Sequence, residues 1–321
     1  MAIDKRADHD PSRGITRRDS LSLGLGAIVA ATTTAIAVHA ADDFDAIRAR
    51  GTKVGLPEFR EENSEHFRSI GDASEAYQRE ALAAAESIAS EFVAHFNEKG
   101  WKLRLPEQRM TVVVLASAAS FAAFSGEPLE SVVGGQYDVD AARLVIFDYR
   151  GGGRAISAQA ELINSRTLAH ETTHQISYAT GLVSARSDVP LAINEGLGTY
   201  GEVWRPKGRG RIGQVNRPWL ARLRQSESQK RRISLDRLIA DDKAFEDQST
   251  ATLAYAQSWL LAHYLLKSKP ATPRFRTYLA RLVESRPEPN TNRIALFESI
   301  FGDLDRLEQE LVRYEKRPIG T

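Results

Sequence analysis

Two short stretches constrain the fold of this chain most: AHETTHQ (Ala169 to Gln175) and PLAINEGLGTYGE (Pro190 to Glu202). The first contains His-Glu-x-x-His. On an α-helix, residues four apart stand on the same face, so His170 and His174 can aim two imidazoles at one point. Two neutral imidazoles and one further protein group make a zinc site with a position left for water. Glu171, beside the first histidine, is placed to take a proton from that water. The third ligand must come from another segment, so the fold has to press a second element against this helix. Twenty residues separate His174 from Glu195. Pro190 is suited to opening a helix, with Asp188 as its expected cap. On that helix Glu195, Thr199 and Glu202 share one face, whereas Leu191, Leu197 and Tyr200 lie elsewhere around it. A carboxylate face turned inward on a mostly apolar helix requires a cation. Glu195 is the candidate third ligand, and Glu202 a candidate acceptor that orients a histidine ring. The alternatives are two packed core histidines and two solvated glutamates, and the spacing alone leaves both open.

Composition excludes other chemistries. Among 321 residues there is no cysteine, which rules out disulfides, thiolate metal sites and a cysteine nucleophile together. A net charge of +1 gives no global field that would favour nucleic acid or a membrane surface. The first forty residues differ from the rest. RRDSLSLGLGAIVAATTTAIAVHA (Arg17 to Ala40) joins an arginine pair, an apolar segment and a small-residue end at Val38-His39-Ala40, the pattern of an export signal. TRRDSL also looks like a twin-arginine signal, although Ser20 stands where a bulky apolar residue is usual. Cleavage after Ala40 leaves a formally neutral protein in the periplasm or outside the cell, with no stable membrane span. A permanent membrane anchor is the alternative, disfavoured by the three threonines and two glycines of the segment.

Residues 41–62 show no clear period and read as a linker or lead-in. From there a single catalytic domain is expected over 63–318, with an α/β part (63–155) and a helical part (156–318). SEHFRSI has the length of a strand. Tyr77, Ala81, Ala84, Ile88, Phe92 and His95 recur at helical spacing, predicting a long helix from Asp72 or Ser74 to Gly100. MTVVVLA (Met110 to Ala116) predicts a buried strand, and Gly134–Tyr149 two strands about a turn near Asp138–Ala142. Helices are then expected from Ile156 to Gly181, from Pro190, and over 249–268, 273–285 and 291–315, the last broken at Gly302. Strands first and helices afterwards give an α+β fold, a small N-terminal sheet with a long helix preceding a mostly helical half.

HETTHQ followed by NEGLGTYGE resembles the gluzincin metallopeptidases, whose aminopeptidase branch carries HExxH and then a glutamate in a pattern like NEGFATYxE. The likeness extends to YAQSWLLAHYLL (Tyr255 to Leu266). The order SEHF, long helix, HExxHQ, EGL, YAQSW and IFGDLDRLEQELVRY is also similar to exported bacterial proteins with a peptidase-MA-like domain, over roughly 60–318. The resemblance implies a thermolysin-like catalytic half binding one zinc ion through His170, His174 and Glu195. It implies Glu171 as general base and Tyr255 as donor to the oxygen that gains charge, a role a phenol can fill. A packed core tyrosine is the other reading of Tyr255, and His263 is expected in the core. One feature of the branch is missing: aminopeptidases carry Gly-x-Met-Glu-Asn before HExxH, and the only methionines here are Met1 and Met110. LVIFDYRGGG occupies that place and is expected to act as an edge strand for an extended peptide. Exo- and endo-cleavage both remain open.

GRGRIG (Gly208 to Gly213) satisfies G-x-G-x-x-G but follows a helix in an arginine-rich loop, so it is not a nucleotide fingerprint. RGGGR lacks a following GK[ST], and no G-x-S-x-G elbow occurs. Trp204 to Leu235 holds ten Lys/Arg against one acid. Such runs are usually solvated; the functional alternative is that Arg205, Lys207, Arg209 and Arg211 contact an anionic substrate. The expected partner is therefore a peptide or cell-envelope polymer rather than nucleic acid. Two other classes compete: a metal-binding protein without turnover, and a metal-free envelope-binding module.

Overall fold

MTVVVL is apolar without alternation because both faces of its strand are covered. In this computed structural model, which describes residues 44–129, 134–151, 158–229, 231–285 and 292–317, it forms β3 (Met110–Leu115), wholly buried. β3 is the centre of a five-stranded sheet in the order β1 (Arg60–Asn63), β2 (Phe67–Gly71), β3, β5 (Arg143–Phe147), β4 (Gly135–Asp138). The three inner strands are parallel, and β1 and β4 run antiparallel at the two edges. Val112, Val114, Leu144 and Ile146 face the main helical core. Val113, Leu115, Val145 and Phe147 face a smaller cluster with Ile47, Phe59, Phe121 and Phe124. The last four belong to or adjoin α1 (Phe44–Lys53) and α3 (Ala118–Ser125), which lie on that side.

The long helix α2 (Glu75–Glu98) starts where Ser74 accepts the Tyr77 N–H and stops just before Gly100, whose φ of 93° is left-handed. It buries the expected stripe through Tyr77, Ala81, Ile88 and Phe92. The helical half comprises α4 (Ala158–Ala179), α5 (Leu191–Gly201), α6 (Arg217–Ser228), α7 (Leu235–Ala240), α8 (Lys243–Glu246), α9 (Ala251–Lys267), α10 (Ala271–Glu284), α11 (Arg293–Phe301) and α12 (Leu304–Lys316). Gly302, at φ 80°, breaks the last pair as expected. The α+β expectation holds. Along α4 every residue from Leu168 to Ser177 is buried, and α5 is buried throughout from Ala192 to Gly201.

Several expectations need correction. Residues 41–62 are not all linker: α1 is docked through Ile47 and Gly51, and Arg60-Glu61-Glu62 belongs to edge strand β1. Neither announces itself, because α1 buries only two side positions and an all-polar edge strand has no hydrophobic alternation. LVIF is not at an edge. It is β5, enclosed between β3 and β4, and the open edge belongs to β4. The basic segment holds helix α6, anchored by Trp219, Leu220 and Leu223. Asp188 does not cap α5; its carboxylate accepts from Arg293, which also bridges to Asp242 at 2.8 Å. The export signal lies outside the described residues, among which no helix is long and apolar enough to cross a membrane.

Behind α5 two histidines are kept neutral. His95 shares a hydrogen bond with the Tyr200 hydroxyl at 2.8 Å, and His263 with that of Tyr314 at 2.9 Å. Burial, helped by the charges of Lys99 and Lys267, pulls His95 down to about 3 and His263 to about 4. In the unfolded chain both protonate near pH 6.5, so acid favours unfolding. Stability present above pH 6.5 should drain away as the pH falls towards the two folded values, and the loss should level off below them. Thermal unfolding across this range should show a shallower pH slope in the His95→Gln/His263→Gln variant than in the wild type; equal slopes would refute the assignment.

Candidate metal centre

Helix α4 presents His170 and His174 one turn apart, and α5 brings Glu195 against them. The two Nε2 atoms are 3.0 Å apart, and Glu195 Oε2 lies 3.1 Å from the first and 3.6 Å from the second. One ligand atom from each of the three residues falls within 4.8 Å of the others, and all three residues are buried. Three electron-pair donors brought this close out of water demand positive charge, supplied by a proton or a divalent cation. The donor set of two imidazoles and a carboxylate suits zinc. The backbone leaves room for it too. A Cβ on Gly198 would lie 2.7 Å from His170 Nε2 and 2.8 Å from His174 Nε2, so any side chain here would displace the imidazoles.

Electrostatics agree with the geometry. Burial alone would raise the Glu195 carboxyl, but the facing His174 and His170 hold it down at about 2. Burial would lower His170, yet its bonds to Glu195 and Glu202 push it well above the usual histidine range. Glu171 goes the other way. Burial raises its carboxyl, opposed by both histidines, with the Tyr137 backbone N–H favouring the ionised form. A carboxyl shifted upward beside a metal-ligand set has the property a general base and acid requires.

Glu202 takes the orienting place expected from the sequence, with more partners than spacing could suggest. Its Oε1 meets His170 Nδ1 at 3.0 Å. Its Oε2 accepts from Arg166 Nη2 at 3.0 Å, Asn216 Nδ2 at 3.0 Å and Trp219 Nε1 at 2.9 Å. Despite burial, the His170 bond and the Arg166 charge hold this carboxyl at about 2. An anionic Glu202 keeps a proton on His170 Nδ1, so Nε2 is the atom left to a metal when one displaces its proton. Sequence reasoning missed Arg166, although its place one turn before His170 was a signal; Asn216 and Trp219, past a loop, carried none.

Residues 164–288 match a family described as "Protein of unknown function (DUF1570)". The similarity spans both histidines, Glu195, Glu202 and Tyr255. No curated protein matches the chain.

A groove of about 730 Å³ opens over the cluster, lined by His170, Glu171, His174 and Glu195 on one wall and by Gln136 to Asp140 on the other. Tyr178, one turn after His174 and on the same face of α4, lines it as well and stacks on Tyr137 with centroids 5.5 Å apart. Its i+4 spacing from His174 was the missed signal. Tyr255 does not line the groove. It is buried between Trp219 and Phe245, and burial together with the Glu195, Glu171 and Glu202 charges makes its phenol less acidic. The anionic-substrate contacts expected in the basic segment are not at the groove. Arg205 donates to the carbonyls of Glu202 and Trp204, and Lys207, Arg209 and Arg211 stand exposed outside the lining.

Two substitutions probe this centre. Gly198→Ala should fold but bind zinc poorly, because the imidazoles must move apart. Trp219→Phe keeps an aromatic side chain and removes one Glu202 donor, and should weaken zinc binding by roughly 3- to 10-fold, short of the ~10- to 100-fold seen when an outer-shell partner is lost entirely. Competition with a chromophoric chelator measures both; wild-type affinity in each would separate these residues from the metal.

Proposed function

We propose that this chain is an exported zinc-dependent peptidase of gluzincin type, hydrolysing peptide or peptide-like amide bonds. The observation that carries this reading is one groove containing a three-ligand cluster and, beside it, a buried glutamate with a raised carboxyl pKa. His170, His174 and Glu195 would hold the metal, which when bound supplies Lewis acidity towards a carbonyl and towards water. Glu171 accepts a proton from the attacking water as the C–O bond forms, then donates it to the nitrogen as the C–N bond breaks. Glu202 keeps His170 in the ligating tautomer throughout. Tyr255 hydrogen-bonds the Glu195 carboxylate from outside the groove lining, a place from which its phenol braces the third ligand.

The second wall of the groove suggests how the substrate lies. β4 is an edge strand antiparallel to β5, and Tyr137 turns its N–H towards Glu171 rather than into the sheet. An extended peptide can pair with such an edge and pass its scissile bond over the cluster. This replaces the expected role of LVIF, which is interior. A groove running on along Asp138, Val139 and Asp140 favours cleavage within a chain over recognition of a free amino end. The arginine pair Arg17-Arg18 and the apolar stretch after it support export ahead of this domain.

Metal analysis of the purified protein should find about one zinc per chain, largely lost in Glu195→Ala. Glu171→Gln should keep the metal and lower turnover of a mixed peptide library, followed by mass spectrometry, ~100- to 10,000-fold. Undiminished hydrolysis by Glu171→Gln would remove the mechanism, and metal without turnover in the wild type would favour a binding protein.

A further inference from the structure

We infer that Arg50 and Arg143 form a carboxylate-recognition subsite in this groove, selecting substrates that carry an acidic group one or two residues from the scissile amide. The inference rests on the peptidase reading and narrows its substrate class. Arg50 comes from α1 and Arg143 opens β5, and both line the same groove as the ligand cluster. Each guanidinium is braced. Arg50 lies over the Phe124 ring, 4.8 Å from its centroid, and donates to the Ser125 carbonyl at 3.2 Å. Arg143 is held by Asp138, its antiparallel neighbour in the β4–β5 register, at 3.5 Å. Arg50 has no carboxylate partner among the described residues.

The register fixes how far this pair stands from the chemistry. Tyr137 turns its N–H to Glu171, and Asp138, the next residue, is level with Arg143. Arg143 shares a face with Val145 and Phe147, opposite Leu144 and Tyr137, so in an extended chain on β4 the side chain one residue from the reacting bond is the one that projects towards the arginines. The two guanidiniums act on each other, and acids are near them. Burial lowers the Arg50 pKa most, and the push from Arg143 outweighs the pull from Asp138. Glu127 and Asp140 also border this end of the groove, and neither pairs with Arg50. Two forked cations in one wall, the first stacked on a phenyl ring, suit a planar carboxylate better than a neutral amide. The exposed cations of the 204–235 segment offer no such cradle, being outside the groove.

Two matched pairs of peptide hydroxamates test this by calorimetry on the zinc-loaded protein. In the first pair the side chain next to the zinc-binding group is Glu or Gln; in the second the peptide ends there in a free carboxylate or a carboxamide. The wild type should prefer the acid in one pair by about 10-fold, a strength expected of charge-assisted bonds, and the pair that discriminates identifies a side-chain or a terminal carboxylate. Arg50→Gln and Arg143→Gln should each bring that ratio towards one, with affinity for the neutral compound unchanged. Arg50→Gln alters an exposed position on α1 and leaves the Asp138 contact alone, so it remains decisive should Arg143→Gln disturb the sheet. Equal binding within both pairs would overturn the subsite while sparing the metal centre. Loss of preference in Arg209→Gln would overturn it too, by moving recognition to the basic segment. Failure of all four compounds to bind would overturn the metal-centre reading and the subsite with it.

Discussion

A carboxylate can leave water only where donors replace it, and Glu202, at the end of one helix, is supplied by residues from two others. Arg166 and His170 reach it from α4, Asn216 sits just before α6 and Trp219 within it, while Glu202 itself closes α5. Removing the anion would leave the Trp219 indole N–H buried without an acceptor and take one acceptor each from Arg166 and from Asn216, whose amide keeps only the Thr199 carbonyl. The three helices are therefore locked in register by one residue. That lock also decides the chemistry, since it aims the His170 lone pair at Glu195 and His174. With no cysteine in the chain, ligand strength must come from basic imidazole, and a hydrogen-bonded anion behind the ring raises that basicity.

Close approach of α5 to its neighbours is the second requirement, and glycine meets it on several sides. A Cβ at Gly196 would run into the Ser258 carbonyl of α9, one at Gly201 into Thr173 of α4, and one at Gly198 into the two imidazoles. Glycine weakens an isolated helix by about 1 kcal/mol relative to alanine. Here the cost is offset by burial on every side, and Asp242, from outside the helix, accepts the Leu191 N–H that Pro190 cannot cap. NEGLGTYG is thus a packing motif and a ligand motif at once, with Glu195 placed by the glycines around it.

What was legible in the sequence follows from periodicity and what was not follows from its absence. The ligand helices, the Glu202 contact to a histidine, β3 and the α11–α12 break at Gly302 all carry local signals, spacing or a special backbone residue. α1 and β1 carry almost none: one buries Ile47 and a glycine, the other is Arg-Glu-Glu-Asn. Strand order is invisible locally as well. The apolar run of β5 looked like the strand nearest the groove, whereas GQYD, short and polar, takes the edge. Edge strands in soluble proteins are often short and polar for this reason, because an apolar one would recruit other chains. The basic segment misled differently, since its charge hid the buried Trp219 that completes the Glu202 shell.

The groove joins two walls of different character, and the difference bears on what it can hold. The helical wall is rigid, buried and closed around its polar groups. The strand wall is backbone, and an edge strand has N–H and C=O groups facing outward that a partner must satisfy. Tyr137 spends one of these on Glu171, which ties the position of that carboxyl to the position of the strand. A ligand pairing with β4 is then held in register with Glu171 automatically, before any side chain is read. Side chains at Arg50, Arg143 and Tyr178 can act only on what that register presents to them. A compact ligand would leave the edge unsatisfied; an extended backbone uses both walls at once, which is the physical ground for the peptide-like substrate proposed above.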